Sequence, residues 1–288
     1  MYKRKNIISA FIVFLFIVVL FGSVLVNSGG NNDLHCLAGK TEYQPLLYQE
    51  DTTRLYHVWK MYCDAVEELE GIDYAFYLCD IESGWELGFD ENKRYYSASS
   101  IKAPYIISVI EQDPSVIEKS GAAIEAAISV SDNDSYIYLK TLYGDEVFES
   151  WLRDIGCGDV EKEYNYAYVT AKEMGMMWKE IYDFLETGGD ETEYCKELLA
   201  NVCHSFLLEE IGDDYTVYSK AGWIGGNLYQ AENDAGVILC PEHPYVMAVM
   251  STAYTRTEEL GKLAVALNEI HDLMFGECVT DSMEEQVK

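Results

Sequence analysis

The chain has 288 residues, of which 49% are hydrophobic, a composition that fits one globular domain of ordinary size with an additional segment. It contains 20 Lys and Arg against 50 Asp and Glu, which gives a formal net charge of −30. Such an acidic body repels phosphate backbones, which argues against nucleic acid as a partner.

The N-terminus has the pattern of a membrane-crossing segment. An apolar run begins at Ile7 and ends at Val26, and three cations, Lys3, Arg4 and Lys5, precede it. About 20 apolar residues cross a bilayer as a helix, and basic residues beside such a helix stay in the cytoplasm. We therefore predict a single-pass membrane anchor, with the rest of the chain outside the cytoplasm. The alternative is a cleaved signal peptide and secretion, but apolar signal regions are usually only about 7–15 residues long.

Cysteine and histidine usage gives no indication of a metal site. The eight cysteines would lie outside the cytosol, where disulfides are allowed, and the sequence does not choose among their possible pairings. The sequence contains no Cys-x-x-Cys and no His-Glu-x-x-His, and its five histidines are scattered. We therefore expect no zinc site and no other cofactor.

Hydrophobic periodicity predicts the elements that follow a polar spacer. In chain order they are a helix over 52–69, a β-hairpin over 73–94, helices over 115–143 with a break at 131–133, a helix over 145–155, an irregular segment over 158–169, helices over 170–185 and 193–208, strands over 215–221, 235–240 and 245–253, and a last helix that ends at Gly276. Strands therefore occur at both ends of the body, with helices between them. This order predicts an α+β fold in which a mainly antiparallel sheet from both chain ends, flanked by terminal helices, carries an inserted all-helical subdomain.

Two of these helices have the sequence signature of a capping box, in which a Thr is followed three residues later by a Glu. The first is Thr170 with Glu173, and the second is Thr255 with Glu258. Each pair predicts the start of a helix.

Ser99 and Lys102 form the only Ser-x-x-Lys of the sequence, at the predicted step from the hairpin to a helix. At a helix start, positions i and i+3 share a face, so the Ser99 hydroxyl would lie beside the Lys102 amine. A serine hydroxyl is a weak nucleophile that an adjacent base activates, and a lysine is such a base when burial or a neighbouring cation lowers its pKa. The same pair is also common on helix surfaces, so its context decides its meaning.

Two further motifs follow in order, Ser131-Asp132-Asn133 and Lys220-Ala221-Gly222. Alone, the first reads equally well as a helix cap, a role that Asp132 keeps even in an active enzyme, and the second as an exposed strand end. With Ser-x-x-Lys, however, they resemble the motif set of class A β-lactamases and penicillin-binding proteins. The resemblance to this serine hydrolase superfamily runs from about residue 52 to about residue 275. It implies four segments: an anchor or signal (1–26), a linker (27–50), a β-lactamase-like serine hydrolase domain (51–276) and a tail (277–288).

The resemblance implies a role for each motif residue. Ser99 would be the nucleophile, Lys102 its base or the partner of its base, and Ser131 would pass a proton between Lys220 and the leaving nitrogen. The substrate-binding residues would be Asn133, which hydrogen-bonds the acyl side chain, and Lys220, Ala221, Gly222 and Trp223. The backbone N–H groups of Ser99 and Trp223 would form the oxyanion hole.

The sequence departs from the family pattern at two places. Ala221 stands where the family usually has Thr or Ser, and residues 237–253 contain no Lys or Arg, so a substrate carboxylate would lose charge-assisted partners. The deacylation motif Glu-x-x-Leu-Asn has only a counterpart in which Tyr164 replaces leucine, running from Glu161 to Asn165. Glu161 is thus a tentative catalytic base, with Glu163 a weaker candidate, because carboxylates in such loops are usually only solvated.

The expected function is that of an extracytoplasmic serine hydrolase that opens amide or β-lactam bonds through an acyl-enzyme on Ser99, as in β-lactam catabolism and antibiotic resistance. The alternatives are a D,D-peptidase that acts on peptidoglycan stem peptides and a penicillin-binding sensor with little turnover. The substrate would be a small molecule or a peptidoglycan-type peptide. Because the terminal helices pack side by side in this superfamily, the resemblance also suggests a disulfide between Cys63 and Cys278.

Overall fold

The computed structural model describes residues 34–37 and 51–276, which form ten strands, nine α-helices and a 3₁₀ turn at Ala98–Ile101. The strands are β1 (Leu34–Leu37), β2 (Tyr74–Asp80), β3 (Glu86–Phe89), β4 (Arg94–Tyr96), β5 (Glu161–Glu163), β6 (Tyr166–Thr170), β7 (Thr216–Ser219), β8 (Gly222–Ile224), β9 (Ala231–Leu239) and β10 (Tyr245–Ser251). The helices are α1 (Asp51–Glu68), α2 (Lys102–Gln112), α3 (Val116–Ser129), α4 (Asn133–Tyr143), α5 (Glu146–Asp154), α6 (Ala171–Leu185), α7 (Asp190–Ala200), α8 (Phe206–Ile211) and α9 (Thr257–Phe275).

Strands from both ends of the chain meet in one antiparallel sheet, which confirms that part of the predicted fold. The strand order is β1-β3-β2-β10-β9-β7, and β8 pairs with β9. The central strands β2 and β10 are buried along their whole length because both faces of the sheet are covered. The terminal helices α1 and α9 share one hydrophobic cluster on one face, and α6 belongs to the cluster on the other. This sheet is the frame on which the motif residues are held.

The inserted segment is not all-helical, so that part of the prediction was wrong. The stretch expected to be irregular contains the hairpin β5–β6, which pairs with β4 in a second, three-stranded antiparallel sheet. Its sequence alternates, with Ala167 and Val169 buried and Tyr166 and Tyr168 half-buried on the opposite face, as a strand with one face on the core requires. The Ser97 N–H donates to the Ala167 carbonyl at 2.8 Å, which joins the hairpin to the turn that carries Ser99.

The helix predicted over 193–208 is divided into α7 and α8. The Ser205 hydroxyl accepts a hydrogen bond from the Leu208 N–H at 3.0 Å and so caps a new helix. In the connecting segment, the Cys203 N–H donates to the Ser129 carbonyl at 2.8 Å, at the end of α3. The divided helix therefore brings this connection next to the loop that precedes α4.

One of the two predicted capping boxes is confirmed. Thr170 and Glu173 exchange both hydrogen bonds at the start of α6. The second prediction was wrong, because α9 begins at Thr257 without a side-chain cap from its own N-terminal segment. Instead, Glu232 of β9 accepts the Arg256 N–H at 2.7 Å and the Thr257 hydroxyl. A carboxylate from a distant strand thus binds this helix N-terminus, where the helix dipole also favours negative charge.

We expect Glu232→Ala to lower the free energy of unfolding by about 1–3 kcal/mol, because it leaves half-buried donors of the α9 N-terminus without their acceptor. The matched control is Glu258→Ala, whose side chain is 80% exposed and which should change stability by less than about 0.5 kcal/mol. Urea unfolding of both variants measures the difference. A larger loss in Glu258→Ala than in Glu232→Ala would contradict this account.

The suggested disulfide between Cys63 and Cys278 is not formed, since Cys63 is a free cysteine on α1. Among the described cysteines, Cys240 is disulfide-bonded, and the free ones are Cys63, Cys79, Cys157, Cys195 and Cys203. The packing of the terminal helices was not enough to identify a cysteine pair, because a disulfide needs the two Cα atoms within about 7 Å of each other.

The predicted membrane segment from Ile7 to Val26 lies outside the described residues and stays a prediction. Within the ranges that the structure describes, no helix has the length and apolar character needed to cross a bilayer. The predicted domain boundaries also stay a prediction. Part of the predicted linker, Leu34–Leu37, pairs with β3 at the edge of the sheet.

Candidate active site

The Ser99 turn connects β4 to α2. Ala98 has a φ of 45°, a left-handed backbone that is uncommon for a residue with a side chain, and it turns the chain sharply into the 3₁₀ segment. Of the two adjacent serines, Ser100 is buried and donates to the Ser97 carbonyl at 2.7 Å. Ser99 is half-exposed, so its hydroxyl is the one accessible to a substrate.

Lys102 is fully buried at the start of α2, one turn after Ser99. Its Nζ donates to the carbonyls of Ser131 at 2.6 Å and Asp132 at 3.3 Å, and to Asn133 Oδ1 at 2.8 Å. Burial, assisted by the nearby Lys220 ammonium, lowers the pKa of Lys102 to about 7, although Asp132 opposes this shift. A lysine with this pKa is substantially unprotonated at neutral pH and can accept a proton.

The loop between α3 and α4 presents Ser131 toward the same place. Ser131 has a φ of 61°, and its Oγ is buried without a hydrogen-bond partner among the described residues. Asp132 accepts the Ser135 N–H at 2.7 Å and caps α4, the structural role expected of it. A buried hydroxyl without a partner costs free energy, which is tolerated where a substrate supplies the missing contact.

Lys220 and Gly222 lie where β7 and β8 approach the Ser99 turn. Lys220 is buried, its Nζ donates to the Ala221 carbonyl at 2.8 Å, and burial lowers its pKa while Asp234 opposes the shift. A Cβ on Gly222 would lie 2.3 Å from the Ser100 nitrogen and 2.6 Å from the Ser99 nitrogen. Only glycine therefore allows β8 to pass this close to the turn.

Asp234 is a site residue that the sequence analysis missed. It is fully buried in β9 and accepts hydrogen bonds from the Ser205 hydroxyl at 2.6 Å and the Leu207 N–H at 3.1 Å. Burial raises its pKa, while these bonds and Lys220 oppose the shift. The available signal was the run Glu232-Asn233-Asp234, which places three polar residues in a strand that is otherwise apolar.

Trp223 forms one wall of a cavity of about 520 Å³ beside β8. Its side chain is 39% exposed, and the ring meets that of His204 edge-on at 4.6 Å between centroids. The other lining residues are Glu232, Tyr254, Thr255, Thr257, Glu258 and Glu259. Ala221 is buried, so it offers a substrate neither a hydroxyl nor exposed side-chain surface.

The hairpin β5–β6 contacts Asn133, a hydrogen-bond partner of Lys102, through Tyr166, which was not among the predicted site residues. Glu161 is exposed on β5, opposite Tyr168, and Glu163 accepts a hydrogen bond from the Tyr229 hydroxyl at 2.5 Å. Tyr166 instead donates to Asn133 Oδ1 at 2.8 Å, the same atom that Lys102 contacts. The tentative base Glu161 is thus not among the side chains that contact Lys102.

Within residues 34–37 and 51–276, no group of three or more His, Cys, Asp or Glu side chains is arranged to hold a metal ion. The expectation that the protein needs no cofactor stays a prediction.

Comparisons with solved structures identify the fold. The chain is similar to a β-lactamase from a halotolerant bacterium (23% identity, TM-score 0.60, 72% of this chain and 98% of that one). It is also similar to β-lactamases from Chitinophaga pinensis (16%, TM-score 0.60, 77% and 99%) and Sphaerobacter thermophilus (14%, TM-score 0.61, 76% and 97%). At these identities the similarity establishes the β-lactamase-like fold. Comparison with curated proteins gave no match.

The family assignment rests on a match over residues 120–270, slightly more than half of the chain, to the model of the beta-lactamase enzyme family. The matched span includes the Ser131 loop, Lys220 and the strands β7 to β10, and it begins after Ser99 and Lys102. The order of the motifs and the fold are those of this family both within the matched span and in the part of the chain that precedes it. The chain therefore belongs to the beta-lactamase enzyme family.

Proposed function

We propose that the protein is a serine hydrolase of the class A β-lactamase type, which opens amide or β-lactam bonds outside the cytoplasm through an acyl-enzyme on Ser99. One observation carries the proposal: a fully buried lysine with its pKa lowered to about 7 lies one turn after a half-exposed serine. A purely structural lysine is rarely buried without a carboxylate partner. The three contacts of Lys102 Nζ are neutral oxygens rather than carboxylates, so no directly paired negative charge holds the lysine in its charged form.

In the proposed acylation step, the neutral Lys102 amine takes the proton of the Ser99 hydroxyl as Oγ attacks the substrate carbonyl carbon. The carbonyl oxygen becomes an oxyanion, which the N–H groups of Ser99 and Trp223 stabilise. The C–N bond then breaks, and Ser131 Oγ gives its proton to the leaving nitrogen while the Lys220 ammonium supplies a proton to Ser131 Oγ. The Ser131 Oγ is suited to this transfer because no acceptor among residues 34–37 and 51–276 competes for its proton.

Lys220 would act mainly through its charge. Its proximity lowers the pKa of Lys102, so it favours the neutral base, and it is 1% exposed. With alanine at position 221 and a lysine that already donates to the Ala221 carbonyl, a substrate carboxylate would find few strong partners. The proposed substrates are therefore amides or lactams in which a carboxylate contributes little to binding.

The hairpin geometry favours a second candidate function, in which the acyl-enzyme persists. Water must be activated to hydrolyse the ester on Ser99. On this side of the site, Tyr166 rather than a carboxylate contacts Asn133, and Glu161 is exposed. Slow deacylation is the property expected of a penicillin-binding sensor or a D,D-peptidase that acts on peptidoglycan stem peptides.

The test is the intact mass of the full-length protein over time after mixing with a penicillin. We expect a covalent adduct on the wild type and none on Ser99→Ala. Removing the nucleophile from a set of catalytic residues that act together lowers the rate by about 10⁴–10⁶-fold. Ser100→Ala is the matched control, because Ser100 is buried and donates to the Ser97 carbonyl. It should keep the adduct.

The time course separates the candidates. An adduct that disappears as product accumulates indicates a β-lactamase, whereas an adduct that persists indicates a sensor or a penicillin-binding protein. Absence of both an adduct and hydrolysed penicillin with the wild type would refute β-lactams as substrates. An equal adduct on Ser99→Ala would refute the assignment of the nucleophile.

A further inference from the structure

Tyr166 and Lys102 share one acceptor. The Tyr166 hydroxyl donates to Asn133 Oδ1 at 2.8 Å, and Lys102 Nζ donates to the same oxygen at 2.8 Å. Among the hydrogen bonds of the hairpin β5–β6, this contact is the one that reaches an oxygen also bound to Lys102. The hairpin therefore reaches an acceptor of the base directly through Tyr166.

The two donors fix the orientation of the Asn133 amide. A side-chain amide has one accepting oxygen and one donating NH₂ group, and a lysine ammonium can only donate, so the oxygen rather than the NH₂ group faces Lys102 and Tyr166. The Nδ2 group is then directed away from Lys102 and Tyr166. Because Asn133 is exposed at the start of α4, Nδ2 is available to an acceptor on a ligand.

The Tyr166 ring is itself held in place on both sides. Its centroid lies 5.9 Å from that of Tyr96 and 5.8 Å from that of Tyr136. The strand that carries it is joined to the Ser99 turn by the bond from the Ser97 N–H to the Ala167 carbonyl. The hydroxyl is thus delivered to Asn133 by a rigid strand, as a positioning group requires.

We propose that Tyr166 is a positioning residue of the active site, which orients the Asn133 amide so that Oδ1 holds Lys102 beside Ser99 and Nδ2 faces the acyl side chain of the substrate. The role of Asn133 in this inference rests on the function proposed above. The contact between Tyr166 and Lys102 through Oδ1 is independent of any substrate.

The pKa of Lys102 depends directly on its contact with Asn133 Oδ1. The groups that face its Nζ are the Lys220 ammonium, the Asp132 carboxylate and the Tyr136 ring, whose centroid lies 5.5 Å away. None of these changes when the Tyr166 hydroxyl is removed. In Tyr166→Phe, the Asn133 amide loses one of the two donors that fix it, so Oδ1 is held less firmly toward Lys102. The charged lysine then loses part of an acceptor, so its pKa should move downward.

The experiment compares the full-length wild type, Tyr166→Phe and Tyr168→Phe. Tyr168 is the matched control because it lies on the same face of β6 and packs on the same Tyr96 ring, at 5.6 Å between centroids. The Lys102 signal is titrated by NMR of ¹³Cε-labelled lysine and assigned with Lys102→Met. Acylation is measured with benzylpenicillin, which carries an acyl side-chain amide, and with 6-aminopenicillanic acid, which lacks it.

We expect a downward shift of the Lys102 titration in Tyr166→Phe and none in Tyr168→Phe. The preference for benzylpenicillin over 6-aminopenicillanic acid should fall by up to about 10-fold in Tyr166→Phe, the worth of one hydrogen bond, because Asn133 Nδ2 is no longer held toward the side chain. A merely structural role would slow both substrates equally and leave their ratio unchanged.

The outcomes separate this inference from the proposed function. An unchanged Lys102 titration in a folded Tyr166→Phe protein overturns the inference, even if Ser99 still acylates. Absence of acylation on the wild type refutes β-lactam hydrolysis, while the titration still decides whether Tyr166 acts on Lys102. Equal shifts in Tyr166→Phe and Tyr168→Phe would also overturn the inference, because they would indicate a general effect of the sheet.

Discussion

Lys102→Met is expected to lower the rate of Ser99 acylation by about 10²–10⁴-fold, the usual contribution of a positioned general base. Methionine has a similar length but cannot accept the serine proton. In the wild type, acylation should rise as the pH increases through about 7, because the pKa of Lys102 is lowered to about 7 and only the neutral amine acts as a base. The measurement is the rate of adduct formation by intact mass between pH 5 and pH 9.

Lys140→Met is the matched control for this prediction. Lys140 is also largely buried, with 12% of its side chain exposed, and its Nζ lies 5.9 Å from the centroid of the Tyr136 ring that Lys102 also approaches. It pairs with Asp145 at 2.8 Å and contacts neither Ser131 nor Asn133 in the described network. Undiminished acylation in Lys102→Met, or a wild-type rate that does not change with pH, would exclude Lys102 as the base.

Gly222→Ala is expected to lower the acylation rate by about 10²–10³-fold. The added Cβ would lie 2.3–2.6 Å from the backbone atoms of Ser97, Ser99 and Ser100, so β8 must move away from the turn. This displacement separates the N–H groups of Ser99 and Trp223, and loss of one oxyanion donor typically costs about 2.7–4 kcal/mol of barrier. Stopped-flow acylation measures the loss, and thermal unfolding checks that the variant is folded.

Gly226→Ala provides the comparison for this substitution. Gly226 lies in the loop after β8, where an added Cβ would meet the Tyr229 carbonyl at 3.6 Å, an ordinary contact distance. It should acylate at nearly the wild-type rate. If Gly222→Ala acylates as fast as Gly226→Ala, the close approach of β8 is not needed for catalysis.

Local chemistry explains why much of the architecture was predictable. The apolar runs of β2 and β10 and the helical stripes of α1 and α9 reflect burial on one or both faces, which sequence periodicity records directly. The Thr170 capping box is likewise a bond between residues three positions apart. The Thr255 prediction failed because the acceptor for that helix came from Glu232, on a strand that is distant in sequence. The hairpin β5–β6 was missed although its alternation was present, because polar residues surround it.

Short motifs and periodicity are properties of neighbouring residues. The family resemblance, the antiparallel sheet from both chain ends and the motif residues Ser99, Lys102, Ser131 and Lys220 could therefore be predicted from the amino-acid order. Which side chains meet, in contrast, depends on the tertiary structure. It buried Lys102 among neutral oxygens, placed Asp234 near Lys220, and brought Tyr166 rather than Glu161 to Asn133. The physical reason is that desolvation and hydrogen bonding depend on atoms far apart in the chain, whose proximity the fold creates and no local pattern encodes.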